Sequence, residues 1–139
     1  MTGCFAGKPY MAESRPDTAA RRRNEVRGRN AETIAAWFLR AKGYRILARR
    51  ARTHVGEIDL VARRGDTLVF VEVKARRALD SAVIALHPAA LRRIEAAARV
   101  LAPHYARGCT TTRIDAVLVQ PWRLPVHMIA VVQERERWS

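Results

Sequence analysis

Two short apolar runs, each carrying a charge inside it, constrain this chain more than any other feature: Ile58-Asp59-Leu60-Val61-Ala62 and Leu68-Val69-Phe70-Val71-Glu72-Val73. Their length and β-branched content are those of buried strands. Between them, Arg64-Gly65-Asp66-Thr67 has the composition of a tight hairpin turn. A turn pivoting on Gly65 and Asp66 pairs residues whose numbers share one sum, which places Asp59 opposite Glu72 and Glu57 opposite Lys74. Side chains alternate along a strand. Glu57 and Asp59 are therefore expected on one face, as are Glu72 and Lys74, so that the hairpin gathers three carboxylates and an ammonium.

Carboxylates opposed on a sheet repel each other, which destabilises the fold unless positive charge lies between them. A divalent cation meets that need. Mg²⁺ takes oxygen ligands from one or two carboxylates and leaves its remaining positions to water and substrate phosphate. Lys74, two residues beyond Glu72, would stand beside such an ion, able to orient a water or to offset charge developing on a phosphate.

The charge balance also points to phosphate. Lys and Arg number 26 against 13 acidic residues, a net +13. Arginine supplies nearly all of it, and its planar fork suits bidentate contact with phosphate, so a polyanionic partner is favoured over a neutral metabolite. Cys4 and Cys109 lie in unlike contexts with no metal-ligand spacing, as in a reducing cytosol. No apolar run approaches the roughly 20 residues that span a bilayer, and the N-terminus lacks a signal-peptide core. A cytoplasmic protein without membrane association is the expectation.

At 139 residues the chain has room for one domain with a real core. Residues 1–28 are expected to form a flexible basic tail, residues 29–133 the domain, and residues 134–139 a charged C-terminal tail. Asn30 is expected to cap a first helix running to about Lys42, with Ile34, Trp37, Phe38 and Ala41 as its core face. Glu32 falls in the first turn of that helix, either as a carboxylate favoured by the helix dipole or as part of the acidic site. Tyr44 to Arg52 is expected as a strand, bringing Arg50 and Arg52 next to the acidic hairpin.

Pro88 opens a second helix with Leu91, Ile94, Ala98 and Leu101 as its buried stripe, and Pro103 and Gly108 are expected to end it. Thr111 to Gln120 and Val126 to Val132 read as the last two strands. Asp115, inside the first of them, either joins the acidic site or pairs with Arg113. His87 and His104 have no partner at ligand spacing. No repeat, Gly-rich phosphate loop, or Ser/His/Asp or Cys/His constellation occurs. The order α-β-β-β-α-β-β is that of an α/β domain with a mixed central sheet flanked by helices.

Gly56-Glu57-Ile58-Asp59-Leu60, a short hairpin, Phe70-Val71-Glu72-Val73-Lys74 and the following Arg76 resemble the signature of PD-(D/E)XK nucleases. More closely, they resemble the YraN-type family of small bacterial proteins with a restriction-endonuclease-like fold, similar to archaeal Holliday junction resolvases. The likeness covers about Arg29 to Val132, including Gly43-Tyr44-Arg45-Ile46-Leu47 and Arg113-Ile114-Asp115. It implies that Asp59 and Glu72 hold Mg²⁺ or Mn²⁺ with the carbonyl of Val73, and that Lys74 assists the attacking water. It also implies that Glu32 is the acidic residue that resolvase-like nucleases add from their first helix. Glu57 has no standard role in the signature, and a cross-strand ion pair with Lys74 is its alternative. Relatives carry a lysine near the start of the second long helix. Here Pro88-Ala89-Ala90-Leu91-Arg92-Arg93 has none, which leaves Arg92 or Arg93 to substitute.

These observations lead to the expectation of a Mg²⁺-dependent endonuclease that hydrolyses DNA phosphodiester bonds, with branched or structured DNA as a candidate substrate. Arg50, Arg52, Arg76, Arg77, Arg92 and Arg93 would grip flanking phosphates. Resolvase-like enzymes often act as dimers, so the resemblance also suggests a homodimer. The alternative is a noncatalytic nucleic-acid-binding module in DNA repair or recombination. Basic charge fits both, whereas the intact Asp59, Glu72 and Lys74 set favours the enzyme, because a pure binder gains nothing from carboxylates that repel phosphate.

Overall fold

A computed structural model of the protein describes residues 18–75 and 88–134. The elements run α1 (Thr18–Ala41), β1 (Arg45–Thr53), β2 (Gly56–Arg64), β3 (Thr67–Ala75), α2 (Pro88–Tyr105), β4 (Thr111–Val119) and β5 (Val126–Glu134). This is the mixed α/β order expected. The five strands form one sheet in sequence order, with β3 and β4 parallel and the other neighbours antiparallel. A parallel pair cannot be joined by a tight turn, and α2 lies in the crossover that joins it. The two helices cover opposite faces. Leu60, Ala62, Val69, Val71, Val117 and Val119 pack against α1. Val61, Leu68, Phe70 and Ile114 pack against α2. Because both faces are covered, the central strands read as nearly continuous apolar runs.

The β2–β3 register is the one the turn dictates. Arg64 pairs with Thr67, and the ladder continues through Leu60 and Val71 with the sum set by Gly65 and Asp66. Gly65 supplies the positive φ of the turn, 60°, which costs a residue without Cβ nothing. Asp66 ties the turn to the start of β4. Its carbonyl accepts the Thr110 N–H at 2.8 Å and its carboxylate accepts the Thr110 hydroxyl at 2.9 Å.

Three helix expectations are corrected. α1 does not start at Asn30; it begins at Thr18. Alanine, arginine and glutamate dominate residues 19–27, and these are strong helix formers that outweigh a cap signal inside the run. Of the expected tail, residues 18–28 thus belong to α1 and residues 1–17 lie outside the described residues, as do residues 135–139. The buried face also differs. Ile34 and Trp37 are 46% and 65% exposed, while Ala31, Ala35, Ala36 and Leu39 are buried. Alanines let the helix axis approach the sheet closely, and the larger Ile34 and Trp37 are turned to solvent. In α2 the helix continues through Pro103 to Tyr105. Proline in the last turn removes one helical hydrogen bond without preventing that turn. Its buried residues are Ile94, Ala97, Ala98 and Ala102, with Leu101 partly buried beside them.

β1 is an edge strand, and its exposed Arg45, Arg49 and Arg52 oppose pairing with another chain. No helix among the described residues is long and apolar enough to cross a membrane.

Candidate functional site

Beyond Leu60 and Val71, side chains take over from the β2–β3 ladder. Asp59 Oδ2 accepts the backbone N–H of Val73 at 2.8 Å, which fixes one carboxylate oxygen against β3. The Asp59 and Glu72 carboxyl groups are close enough for the charge of Asp59 to act on Glu72. Two ionised carboxylates so placed repel, and a proton or a cation between them relieves that repulsion. Burial, then the neighbouring Asp59 charge, pushes Glu72 up to about 7. Burial raises Asp59 as well, against the opposing hydrogen bond from Val73. Lys74 Nζ stands 3.7 Å from Glu72 Oε1, with its side chain 27% exposed and so open to water.

Strand alternation breaks at this point. Ile58 packs with the α2-side core, whereas Leu60, two residues on, packs with the α1-side core. The shared face of Glu57 and Asp59 therefore does not follow from their spacing. Arg50 lies between Arg49 and Ala51, the partners of Leu60 and Ile58, and so faces Asp59 across the β1–β2 ladder. Its φ is +51°, a left-handed backbone that costs a non-glycine residue on the order of 1–3 kcal/mol.

That bend is matched by charge. Arg50 Nε donates to Glu32 Oε2 at 2.7 Å. The Glu32 hydrogen bond raises the Arg50 pKa, and the Glu32, Glu57 and Asp59 charges add to this in turn, against a smaller burial effect. Glu32 is not in a first turn, because α1 starts fourteen residues earlier; it lies within the helix and is buried. The helix-dipole explanation for it falls, and the fold delivers it to the acidic cluster. Glu57 reaches Arg52 at 3.3 Å, in place of the expected pair with Lys74.

Asp115 belongs to a separate polar network. Oδ1 accepts from Arg113 Nε at 2.7 Å and from the Ala130 N–H at 2.9 Å; Oδ2 accepts from Arg113 Nη2 at 2.8 Å and from His127 Nε2 at 2.7 Å. Lys42 Nζ lies 2.6 Å from His127 Nδ1. An ammonium only donates, so Nδ1 accepts and Nε2–H is left to donate to Asp115. Arg113 Nη2 also donates to the Tyr44 hydroxyl at 2.7 Å. Burial would raise Asp115, but the His127, Arg113 and Ala130 hydrogen bonds together hold it below the usual carboxylate range. Four donors occupy all four acceptor positions of a fully buried carboxylate, leaving none for a metal. His127 escaped sequence reading because it sits in an otherwise apolar run, Val126-His127-Met128-Ile129; that lone polar residue was the available signal.

Among the described residues, no three His, Cys, Asp or Glu side chains converge as a metal-holding group. The donor set that fits a divalent cation is smaller: the two carboxylates of Asp59 and Glu72. It fits because Mg²⁺ requires only one or two protein carboxylates, and because a cation beside this pair would offset the burial and the Asp59 charge that raise Glu72. Of the arginines expected to meet phosphate, Arg50 is engaged by Glu32, Arg52 is exposed beside Glu57, and Arg92 and Arg93 are exposed on α2. Arg76 and Arg77 lie outside the described residues.

The sequence model described as uncharacterised protein family UPF0102 matches residues 31–119. A UPF0102 protein of Sphingopyxis alaskensis is 51% identical over 109 residues, covering 78% of this chain and 94% of the relative. One from Mesorhizobium japonicum is 55% identical over 119 residues, covering 85% and 94%. One from Rhizorhabdus wittichii is 50% identical over 107 residues, covering 77% and 91%. The matched span contains Glu32, Asp59, Glu72, Lys74 and Asp115.

Proposed function

This chain belongs to the uncharacterised protein family UPF0102, the YraN-type family, and from its own residues we propose that it is a metal-dependent endonuclease of the PD-(D/E)XK kind acting on DNA. One observation carries the proposal: of two partly buried carboxyls on adjacent strands, one is fixed by the Val73 N–H at 2.8 Å and the other stands 3.7 Å from a solvent-reachable lysine. A structural hairpin would neutralise its acids with local arginines. Arg50 and Arg52 do this for Glu32 and Glu57, but Glu72 is left under the influence of the Asp59 charge, which helps to push it up. Such a pair lowers stability at neutral pH, a cost that makes sense where a divalent cation is to be bound.

Asp59 and Glu72 would hold Mg²⁺ or Mn²⁺ together with the Val73 carbonyl. When bound, the cation supplies electrostatic stabilisation of the charge that builds on the phosphate oxygens. The Val73 N–H keeps Asp59 in place, so its free oxygen is oriented without reorganisation. Lys74 positions the water that attacks phosphorus, and its charge offsets the developing negative charge as the P–O bond to the leaving group breaks. Glu32, held by Arg50, sets the negative potential next to Asp59. The exposed Arg52, Arg92 and Arg93 supply phosphate contacts on either side.

The test is cleavage of duplex, single-stranded and four-way-junction DNA with Mg²⁺, Mn²⁺ or EDTA. The wild type is compared with Asp59→Ala and Lys74→Ala. Cleavage is expected only with metal, and both substitutions should abolish it. Cleavage that survives EDTA or either substitution would sink the proposal. Binding of DNA with no cleavage on any substrate would favour the noncatalytic module instead.

A further inference from the structure

Trp122 is fully exposed and Leu124 is 81% exposed, with exposed Arg123 between them in the β4–β5 turn. The Trp122 backbone has a φ of +61°. For a bulky residue that conformation is unfavourable, and here no burial offsets it. Pro121 before it has a fixed φ, so the indole is presented from a stiffened turn.

The location gives this display a meaning. β3 and β4 are parallel, with Lys74 beside Leu118 and Ala75 beside Val119. The turn that follows β4 therefore leaves the sheet at the edge where β3 carries Glu72 and Lys74. Trp122 is four positions beyond Leu118, so even a fully extended chain would keep its backbone within about 15 Å of the Lys74 position. That is about three or four nucleotides along one strand at about 3.4 Å each. Ligands of α/β sheets characteristically meet the carboxyl ends of parallel strands.

We propose that the Pro121–Leu124 turn is a base-stacking platform that binds an unpaired nucleobase within about three or four nucleotides of the scissile phosphate. This rests on the nuclease reading and makes it more specific: the substrate is DNA with single-stranded character near the cut. The indole offers a π-face to the base, Leu124 an apolar shoulder, and Arg123 a guanidinium for the adjoining phosphate. Stacking accepts any base, so the platform selects for unpaired structure without selecting sequence. In an intact duplex every base is already stacked on its neighbours and offers no free face. The chain's net charge of +13 brings the polyanion to the surface, while the turn distinguishes strand states.

The chain has three tryptophans, and the Trp37→Phe/Trp138→Phe variant leaves Trp122 as the only indole reporter. Its emission is followed in EDTA during titration with a single-stranded oligonucleotide, a blunt duplex of the same sequence, heparin, and vesicles of anionic phospholipid. Anisotropy of labelled DNA reports binding independently. The single strand should quench Trp122 at least twofold, while duplex and heparin bind with little quenching. Trp122→Ala should lower single-strand affinity about 10-fold with duplex affinity unchanged, and Trp122→Phe should retain most of it. Circular dichroism should show both variants folded, since the replaced side chain is fully exposed among the described residues.

If DNA binds with Trp122 emission unchanged and Trp122→Ala binds as the wild type does, the platform is refuted while the nuclease reading stands. If no DNA binds at all, both fall. A blue shift with anionic vesicles alone would overturn the platform and assign the turn to a lipid surface.

Discussion

Replacing Glu72 with Gln should stabilise the metal-free protein, and by an amount that depends on pH in a specific way. Glu72 has an ordinary value of 4.5 and is raised to about 7 by burial, then by the Asp59 charge. Between those values the folded chain retains a proton that the unfolded chain has released. Proton binding thus favours the folded state at low pH, and the advantage is lost as pH rises from about 4.5 to about 7. At about 1.4 kcal/mol per pH unit, the loss amounts to about 3 kcal/mol for the Asp59–Glu72 pair acting as one titrating unit. Glu72→Gln cannot ionise and removes the repulsion on Asp59. Urea unfolding in EDTA should show the variant similar to wild type near pH 4.5 and about 3 kcal/mol more stable near pH 8. Mg²⁺ should close most of that gap at pH 8, because a ligand at a hundred times its Kd stabilises the wild type by about 2.7 kcal/mol and should not bind the variant well. Parallel pH profiles for the two proteins in EDTA would refute the proposed pairing of these carboxyls. Stabilisation of both by Mg²⁺ to the same extent would refute this pair as the metal site.

Asp115→Asn should destabilise the protein by about 3–5 kcal/mol, since it leaves Arg113 buried beside a neutral partner. The Asp115 pKa is depressed on folding, so its contribution is complete above about 3.8 and disappears as pH falls through the lower folded-state value; acid unfolding of wild type and variant should converge there. Trp37→Ala should change stability by less than about 0.5 kcal/mol, whereas Leu39→Ala should cost about 2–5 kcal/mol; equal costs in chemical denaturation would mean the helix buries the other face. Trp122→Gly should raise stability by about 1 kcal/mol, because glycine adopts a φ of +61° without the Cβ penalty. A fall in melting temperature would count against strain at this turn.

What was legible in the sequence followed from short-range rules. The β2–β3 register from Arg64–Thr67 to Leu60–Val71 came from a two-residue turn and the period of a strand, and both depend only on residues close together in the chain. The element order was legible for the same reason, because each strand run is bounded by its own turn residues. The α1 core face was not. Ile34-Trp37-Phe38 and Ala31-Ala35-Leu39 are both apolar stripes at helical spacing, and the choice between them depends on how closely the helix approaches the sheet.

Three further features came only from the folded chain. Arg50 turns inward to Glu32, eighteen residues away, in a backbone conformation that no local signal for arginine announces. Asp115 is saturated by His127 and Ala130 from the neighbouring strand and by Arg113 from its own; its separation from the acidic site is a matter of which face and which partners it meets. Trp122 comes to the same sheet edge as Lys74 because β3 and β4 are parallel, and a parallel pairing across a crossover carries no local imprint. The sequence alone determined which residues carry charge into the hairpin and the register in which its turn starts the two strands. Tertiary structure decided which of the remaining charges join them, because burial, close approach and the meeting of distant strands arise only when both faces of the sheet are covered.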